Sequence, residues 1–144
     1  MNFYKRLTFF ATLLALIVVS FGAYTRLTDS GLGCPDWPGC YGTLSVPESI
    51  DQIEKAQAVY PDSPVEIEKA WIEMIHRYIA GILGIMILVI AFMSIRLREQ
   101  INYSLKWPFF LLGLVIFQAA LGMWTVTLLL KPAVVTSHLL GGMT

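Results

Sequence analysis

The chain has 144 residues, of which 56% are hydrophobic and only 14% are charged. This composition excludes an ordinary soluble domain and is typical of an integral membrane protein. Ten basic and ten acidic residues cancel, and no basic patch is visible, so we expect no nucleic-acid partner.

The first predicted element is an uncharged run over residues 7–24. As a helix it would be about 27 Å long at ~1.5 Å per residue, which is enough to cross the hydrocarbon core of a bilayer. The basic head that precedes it, with Lys5 and Arg6, also fits a cleaved signal peptide. Because the run is longer than a typical signal core and has no plausible cleavage site, a membrane anchor is the favoured interpretation.

A polar loop is expected over 25–71, and it contains eight of the ten acidic residues and both cysteines. Its first part, 28–42, is rich in residues that form turns. Capping-box patterns at 45–48 and 63–66 predict two helix starts. The second pattern has Pro64 at the first helical position, so a long helix should begin there and enter the membrane one to two turns later.

Three more apolar segments follow, with expected spans over 72–95 and 107–130 and a shorter segment over 132–144. The last offers 13 residues from Pro132, where a span needs about 20. The sequence therefore predicts an all-α integral membrane protein whose fourth transmembrane helix is incomplete. We expect the chain to be cut in mid-helix and to be part of a larger protein.

Basic residues predict the orientation of these helices. Five of them should lie on one side of the membrane: Lys5, Arg6, Arg96, Arg98 and Lys106. Because cytoplasmic flanks carry an excess of Lys and Arg, the amino terminus should be cytoplasmic and the cysteine loop should lie on the outer side. The expected location is the cell membrane, with several passes through the lipid bilayer.

The two histidines occupy matched positions in the predicted spans. His76 lies five residues below Trp71 and His138 lies six below Pro132, so both imidazoles should be about 8 to 9 Å inside the outer boundary. Two imidazoles at equal depth could supply both axial ligands of a haem iron. Buried histidines that hydrogen-bond to neighbouring helices are one alternative, and a zinc site that includes Glu73 is a weaker one.

Charged residues near the histidines are further candidates. Glu73 lies one turn from His76 on the same helical face and could accept a proton beside a bound cofactor. An ion pair with Arg77, four residues on, is the alternative. Arg26 and Arg77 could bind carboxylates of a ligand, although snorkelling to lipid headgroups would equally explain them.

Cys34 and Cys40 are separated by five residues that include two prolines and a glycine. On the oxidising outer side of a membrane a disulfide between them is expected. This disulfide could be a structural staple or a redox-active pair, and the spacing does not decide between the two.

Three blocks of the sequence, taken in order, closely resemble haem A synthase: 22–38, 73–77, and 118–127 together with 136–139. In that family eight spans form two four-helix halves related by a pseudo-two-fold axis, and each half can hold a haem between two histidines. The enzyme oxidises a methyl group of haem O to the formyl group of haem A, which cytochrome oxidases use.

The resemblance implies that residues 1–144 are the amino-terminal half of this tandem-repeat architecture, a four-helix transmembrane bundle. Haem O would be the substrate and haem A the product, and haem b would belong to the half that this chain does not contain. The implied protein partners are haem O synthase, cytochrome oxidase assembly factors and a second copy of the chain.

The resemblance also assigns roles to single residues. His76 and His138 would be the axial ligands of the haem iron, and Glu73 would be the catalytic carboxylate. Cys34 and Cys40 match the outer-loop cysteine pair of the family. Two other functions stay open at this point: a membrane b-type haem electron carrier, which needs only the histidines, and a structural membrane subunit in which both are merely packed.

Overall fold

A computed structural model describes residues 2–101 and 104–143 of the chain. Within these ranges the protein forms the helices α1 (Asn2–Leu27), α2 (Ile50–Val59), α3 (Ile67–Ile101), α4 (Lys106–Thr127) and α5 (Pro132–Gly142). The same ranges contain no β-strand, only an isolated bridge between Cys40 and Thr43. The predicted helical class is confirmed, while Thr144 at the end of the fourth predicted segment lies outside the described residues.

Three of the described helices are long and apolar enough to cross a membrane: α1, α4 and residues 67–98 of α3. Their outward surfaces carry large hydrophobic side chains, of which Leu16, Ile85 and Phe110 are each more than 60% exposed. Helices that expose so much apolar surface need a lipid environment, because soluble proteins rarely expose large apolar patches. The structure therefore has the helices of a membrane protein.

The helix ends differ from the predicted spans. α1 and α3 both continue past the apolar runs predicted for them, because polar residues can extend a helix beyond the hydrocarbon core. α4 ends at Thr127, three residues before the predicted end of the span 107–130. Leu129 and Leu130 have φ angles of 49° and 55°, a left-handed conformation that a right-handed helix does not contain.

The start of α2 lies one turn later than predicted. The capping box forms between Ser49 and Gln52 instead of over 45–48: the Gln52 backbone N–H donates to Ser49 Oγ at 3.3 Å, and Gln52 Oε1 accepts from the Ser49 N–H at 3.2 Å. In the predicted box Val46 would be helical. A residue that precedes a proline disfavours the helical conformation, which moves the cap to the next serine.

The start of α3 was also predicted too early. The helix begins at Ile67, whereas the pattern over 63–66 predicted a start at Pro64. The Glu66 carboxylate does not serve as the reciprocal cap of Ser63, because it forms an ion pair with Lys69 at 2.8 Å. The Glu66 carbonyl instead accepts the helical hydrogen bond of the Ala70 N–H at 2.9 Å.

The long helices pack in a ring: α1 contacts α3, α3 contacts α4, α4 contacts α5, and α5 returns to α1. Ala11, Leu83 and Ile90 form the buried core between α1 and α3. The segment that joins α1 to α3 lies at one end of this ring, which we call the loop side. The end of α4 is on the loop side as well, since Leu130 contacts Gly31 there.

The loop has a small core of its own that is docked on the first turns of α3. Cys34, Cys40 and Tyr41 are buried against Ala70 and Met74. Burial, followed by the negative charge of a nearby carboxylate, raises the pKa of the Tyr41 phenol. Its hydroxyl therefore stays protonated at neutral pH and donates to a backbone carbonyl of the loop at 3.0 Å.

Gly33 is the point of closest approach between this loop core and α3. A Cβ at Gly33 would lie 2.6 Å from the carbonyl carbon and oxygen of Lys69, both of which are backbone atoms that cannot move independently. We expect Gly33→Ala to weaken the docking by about 1–3 kcal/mol, the usual cost of overpacking. Limited proteolysis should then cleave the loop faster than in the wild-type protein.

Gly81→Ala is the matched control, because a Cβ at Gly81 would have no neighbour within 4 Å. It should leave the cleavage rate unchanged. Equal cleavage rates in Gly33→Ala and the wild-type protein would show that the loop is not held by this contact.

Candidate functional site

The two histidines project from α3 and α5 towards the helices that face them. A Cβ at Gly22 of α1 would lie 2.8 Å from His76 Cε1, and a Cβ at Gly122 of α4 would lie 3.3 Å from His138 Cε1. The Phe21 ring is nearly parallel to the His76 imidazole, with 6.5 Å between the ring centroids. The structure therefore places both predicted histidines within the same ring of helices, His76 against α1 and His138 against α4.

Several buried polar atoms of this region have no hydrogen-bond partner within the described part of the chain. They are Nδ1 of His76, Nδ1 of His138, and both the Nε2 and the Oε1 atom of Gln118. Because an unpaired buried polar atom costs about 1–3 kcal/mol, this cluster is typical of a site built to receive a ligand.

The two imidazoles fit the axial ligation of a haem. Imidazole nitrogens are the usual protein ligands of haem iron, and the glycines opposite His76 and His138 let each ring lie where a Cβ would crowd it. The zinc alternative has less support, since residues 2–101 and 104–143 bring no three His, Cys, Asp or Glu side chains into a group that could hold a metal ion.

Glu73 is a buried carboxylate, 4% exposed, on the loop side of His76. One of its oxygens forms an ion pair with Arg77, the local pairing that the sequence offered as an alternative. Its other oxygen, Oε2, accepts a hydrogen bond from the backbone N–H of Cys34 at 2.9 Å. The carboxylate is thus held from two directions, by its own helix and by the cysteine loop.

Arg77 binds the cysteine loop through its guanidinium group. Its Nη1 donates to the backbone carbonyls of Asp36 at 3.0 Å and Pro38 at 3.3 Å, and also to that of Gly39. Its Nη2 donates to the Glu73 carboxylate. The guanidinium is therefore engaged by the protein itself, and its role in binding a cofactor stays a prediction.

Arg26 lies at the end of α1, where its guanidinium is 3.8 Å from the Asp29 carboxylate. More than half of the Arg26 side chain is exposed. The structure places it outside the contacts that join Glu73, Arg77 and the loop. A role for Arg26 in cofactor binding also stays a prediction.

Cys34 and Cys40 form the disulfide that was predicted, and both residues are fully buried. The Cys34 sulfur is 3.9 Å from the Ala70 carbonyl, and the backbone of the same cysteine binds Glu73. Burial limits the access of external thiols, which favours the structural role of the bridge over the redox role.

The disulfide predicts the behaviour of this loop towards thiol reagents. We expect a maleimide reagent to label neither Cys34 nor Cys40 in the unreduced, detergent-purified protein, because both sulfurs are bonded to each other. Both should be labelled after denaturation with a reductant. Mass spectrometry checks the result, and quantitative labelling without reductant would show that the bridge is absent in the resting protein.

A model of the family described as cytochrome oxidase assembly protein (COX15-CtaA) matches residues 5–144, which is nearly the whole chain. The chain belongs to this family. The resemblance drawn from the sequence blocks is thereby confirmed.

Three curated proteins that are similar to this chain are named heme A synthase. The chain is 55% identical over 127 residues to the heme A synthase of Shewanella oneidensis, which covers 88% of the chain and 38% of the relative. It is 32% identical over 139 residues to that of Sphingopyxis alaskensis, covering 88% and 39%. It is 30% identical over 139 residues to that of Alkalihalophilus pseudofirmus, covering 94% and 41%.

The chain therefore spans about two fifths of the length of these curated relatives. No solved structure matches it.

Sequence reasoning missed part of the site in this cytochrome oxidase assembly family member. Gln118 was not singled out, and Gly122 was interpreted as a helix-packing position, whereas it faces His138. A signal was present. Gln118 is a polar residue in an otherwise uncharged span, four residues from Gly122 and hence on the same helical face.

Proposed function

We propose that this chain forms the substrate-binding half of a haem A synthase, in which haem O lies between His76 and His138. The observation that carries the proposal is the pair of partly buried imidazoles, each facing a glycine and each with a buried Nδ1 that has no partner in the described part of the chain, together with the buried carboxylate of Glu73 one turn from His76. The relatives named heme A synthase support the same activity.

The proposed reaction oxidises one methyl group of haem O to the formyl group of haem A. The conversion adds one oxygen atom, as from water, and removes four electrons and four protons, so it would also need an electron acceptor that this chain does not contain. His76 and His138 would hold the haem between the helices. Such an oxidation releases protons from carbon, and Glu73 is the buried base on the loop side of His76 that accepts them.

The groups around Glu73 orient its carboxylate. Arg77 and the Cys34 N–H each bind one of its oxygens, so the orientation of the carboxylate is fixed. The docked loop also keeps water away from this end of the site, since Cys34 and Cys40 are fully buried. A b-type electron carrier would need the histidines but no such carboxylate, which favours the enzyme.

For the architecture we propose that residues 1–144 are the amino-terminal half of an eight-helix tandem repeat. α1, α3, α4 and α5 would be its four transmembrane helices, with α5 incomplete. The ring of contacts among these helices supports a four-helix bundle. The second half would bind haem b. The proposed partners are haem O synthase, cytochrome oxidase assembly factors and a second copy of the chain.

We also propose that the amino terminus is cytoplasmic and that the cysteine loop lies on the outer side of the cell membrane. Alkaline phosphatase fused near Glu54 should be active, since that enzyme folds only outside the cytoplasm, and a fusion after Arg98 should be inactive. A fluorescent-protein fusion, which reports the cytoplasm, should give the opposite pattern. Reversal of both patterns would contradict this orientation.

The proposed activity is tested in cells that make haem O but lack a haem A synthase of their own. The full-length protein is expressed there, and the haems are extracted with acidic acetone and separated by chromatography. Haem A should appear at the expense of haem O. Unchanged haem O with no haem A, from cells in which the protein reaches the membrane, would contradict the proposed function.

A further inference from the structure

Gln118 is a buried amide that the proposed reaction does not use. Its Nε2 and its Oε1 both lack a hydrogen-bond partner in the described part of the chain, although both atoms are buried. The side chain packs against Gly141 of α5, where a Cβ would collide with the amide nitrogen. The amide thus lies between α4 and α5, in the same ring of helices that encloses the two imidazoles.

The position of Gln118 relative to the histidines is set by helix geometry. Gly122, which faces His138, lies four residues later on α4 and hence about 6 Å closer to the loop side. Glu73 lies three residues before His76 on α3, on the loop side of that histidine. The carboxylate and the amide therefore flank the level of the imidazoles from opposite ends of the site.

The two unpaired atoms define the chemistry of the missing partner. Nε2 offers hydrogens and Oε1 accepts one, so a complete partner both donates and accepts. A hydroxyl group does this, whereas a vinyl or methyl group does neither. A ligand carboxylate at this position would need a basic side chain to balance its charge. The basic residues of the α4–α5 pair, Lys106 and Lys131, lie at helix ends away from Gln118.

We infer that Gln118 binds the hydroxyl group by which haem O differs from haem b. Haem O carries a hydroxyethylfarnesyl group where haem b has a vinyl group, so one amide could separate the substrate from the far commoner haem. This inference rests on the proposed function, because it takes a haem between His76 and His138 as given. It makes Gln118 a specificity-determining residue of the substrate half.

A binding titration tests the inference without measuring turnover. Haem O and haem b are added separately to the full-length protein in detergent, with the haem b of the second half already bound, and the further Soret absorbance reports ligation by His76 and His138. Gln118→Leu keeps the size of the side chain and removes both polar atoms. We expect its affinity for haem O to fall about 10-fold while its affinity for haem b changes less than about 2-fold.

Two controls accompany the titration. Gln57→Leu removes an amide from the loop helix α2, where it donates to the Ser63 carbonyl at 3.4 Å, and it should change neither affinity. The unfolding temperature of haem-free Gln118→Leu should equal or exceed that of the wild-type protein, because the substitution removes two unsatisfied buried atoms. A well-folded variant thus remains available for the measurement.

The other outcomes are separable. An equal fall in both affinities, or no fall in either, would overturn the assignment of Gln118 and leave the proposed function standing. Failure of the wild-type protein to bind either haem would overturn the proposed function and the inference together.

Discussion

Replacement of His76 by alanine is expected to abolish ligation of the substrate haem. The imidazole is partly buried, faces Gly22 and has a buried, unpaired Nδ1, so its removal would take away the iron ligand proposed on α3. Loss of groups that merely orient a metal ligand already costs 10- to 100-fold in affinity. For His76→Ala and His138→Ala we therefore expect losses of more than about 100-fold, measured by Soret titration of the purified protein.

Tyr78→Phe is a suitable control for these two variants. Tyr78 lies two residues from His76 on α3, and its hydroxyl donates to the Leu44 carbonyl in the loop at 2.5 Å. Its removal should leave haem affinity within about 3-fold of the wild-type value. Added imidazole should partly restore binding to His76→Ala by entering the space of the lost ring. Full haem content in either alanine variant would show that the histidine is only packed.

Glu73→Gln is expected to separate binding from oxidation. The amide has nearly the same shape as the carboxylate and can still accept the Cys34 N–H, so haem O should remain bound. It cannot take up a proton as the carboxylate does. We expect haem A formation to fall by roughly 10²-fold or more, the usual effect of losing a general base. Haem extraction after a fixed time of expression measures the product, and the Soret band measures the bound substrate.

The Glu66→Gln variant makes the same chemical change at the start of α3. Glu66 is largely exposed and pairs with Lys69, and exposed ion pairs contribute little, so product formation should not change. If Glu73→Gln produced haem A at the wild-type rate, Glu73 would not be a catalytic base, and its role would be the structural ion pair with Arg77.

The apolar helices could be predicted from the sequence because few backbone structures are stable inside a bilayer. A spanning segment must satisfy its own backbone, which an uncharged run achieves as a helix. The Glu73–Arg77 pair was accessible too, since residues four apart are neighbours on any helix. The end of α4 was not, because it depends on the left-handed turn at Leu129 and Leu130.

Contacts between distant residues were beyond sequence reasoning. The bond from the Cys34 N–H to Glu73 joins residues 39 positions apart, and nothing in either segment specifies the other. The same holds for Gln118 and Gly141, whose contact arises only when α4 and α5 pack together. Composition and periodicity report on one helix at a time, whereas these contacts depend on how two segments of the chain pack against each other.

The docking of the loop on α3 divides residues 28–66 into two parts with different tolerance to change in length. Around Gly33 the backbone touches α3, and Arg77 holds the carbonyls of Asp36 and Gly39, so an inserted residue there would shift Cys34 away from Glu73. Near α2 the loop is also held, by Ala56 in the loop core and by the hydrogen bond from Trp71 Nε1 to Glu48 at 2.7 Å, but the turn around Asp62 is exposed. Extra residues beside Asp62 would extend the loop into the surrounding water and leave the position of the carboxylate unchanged.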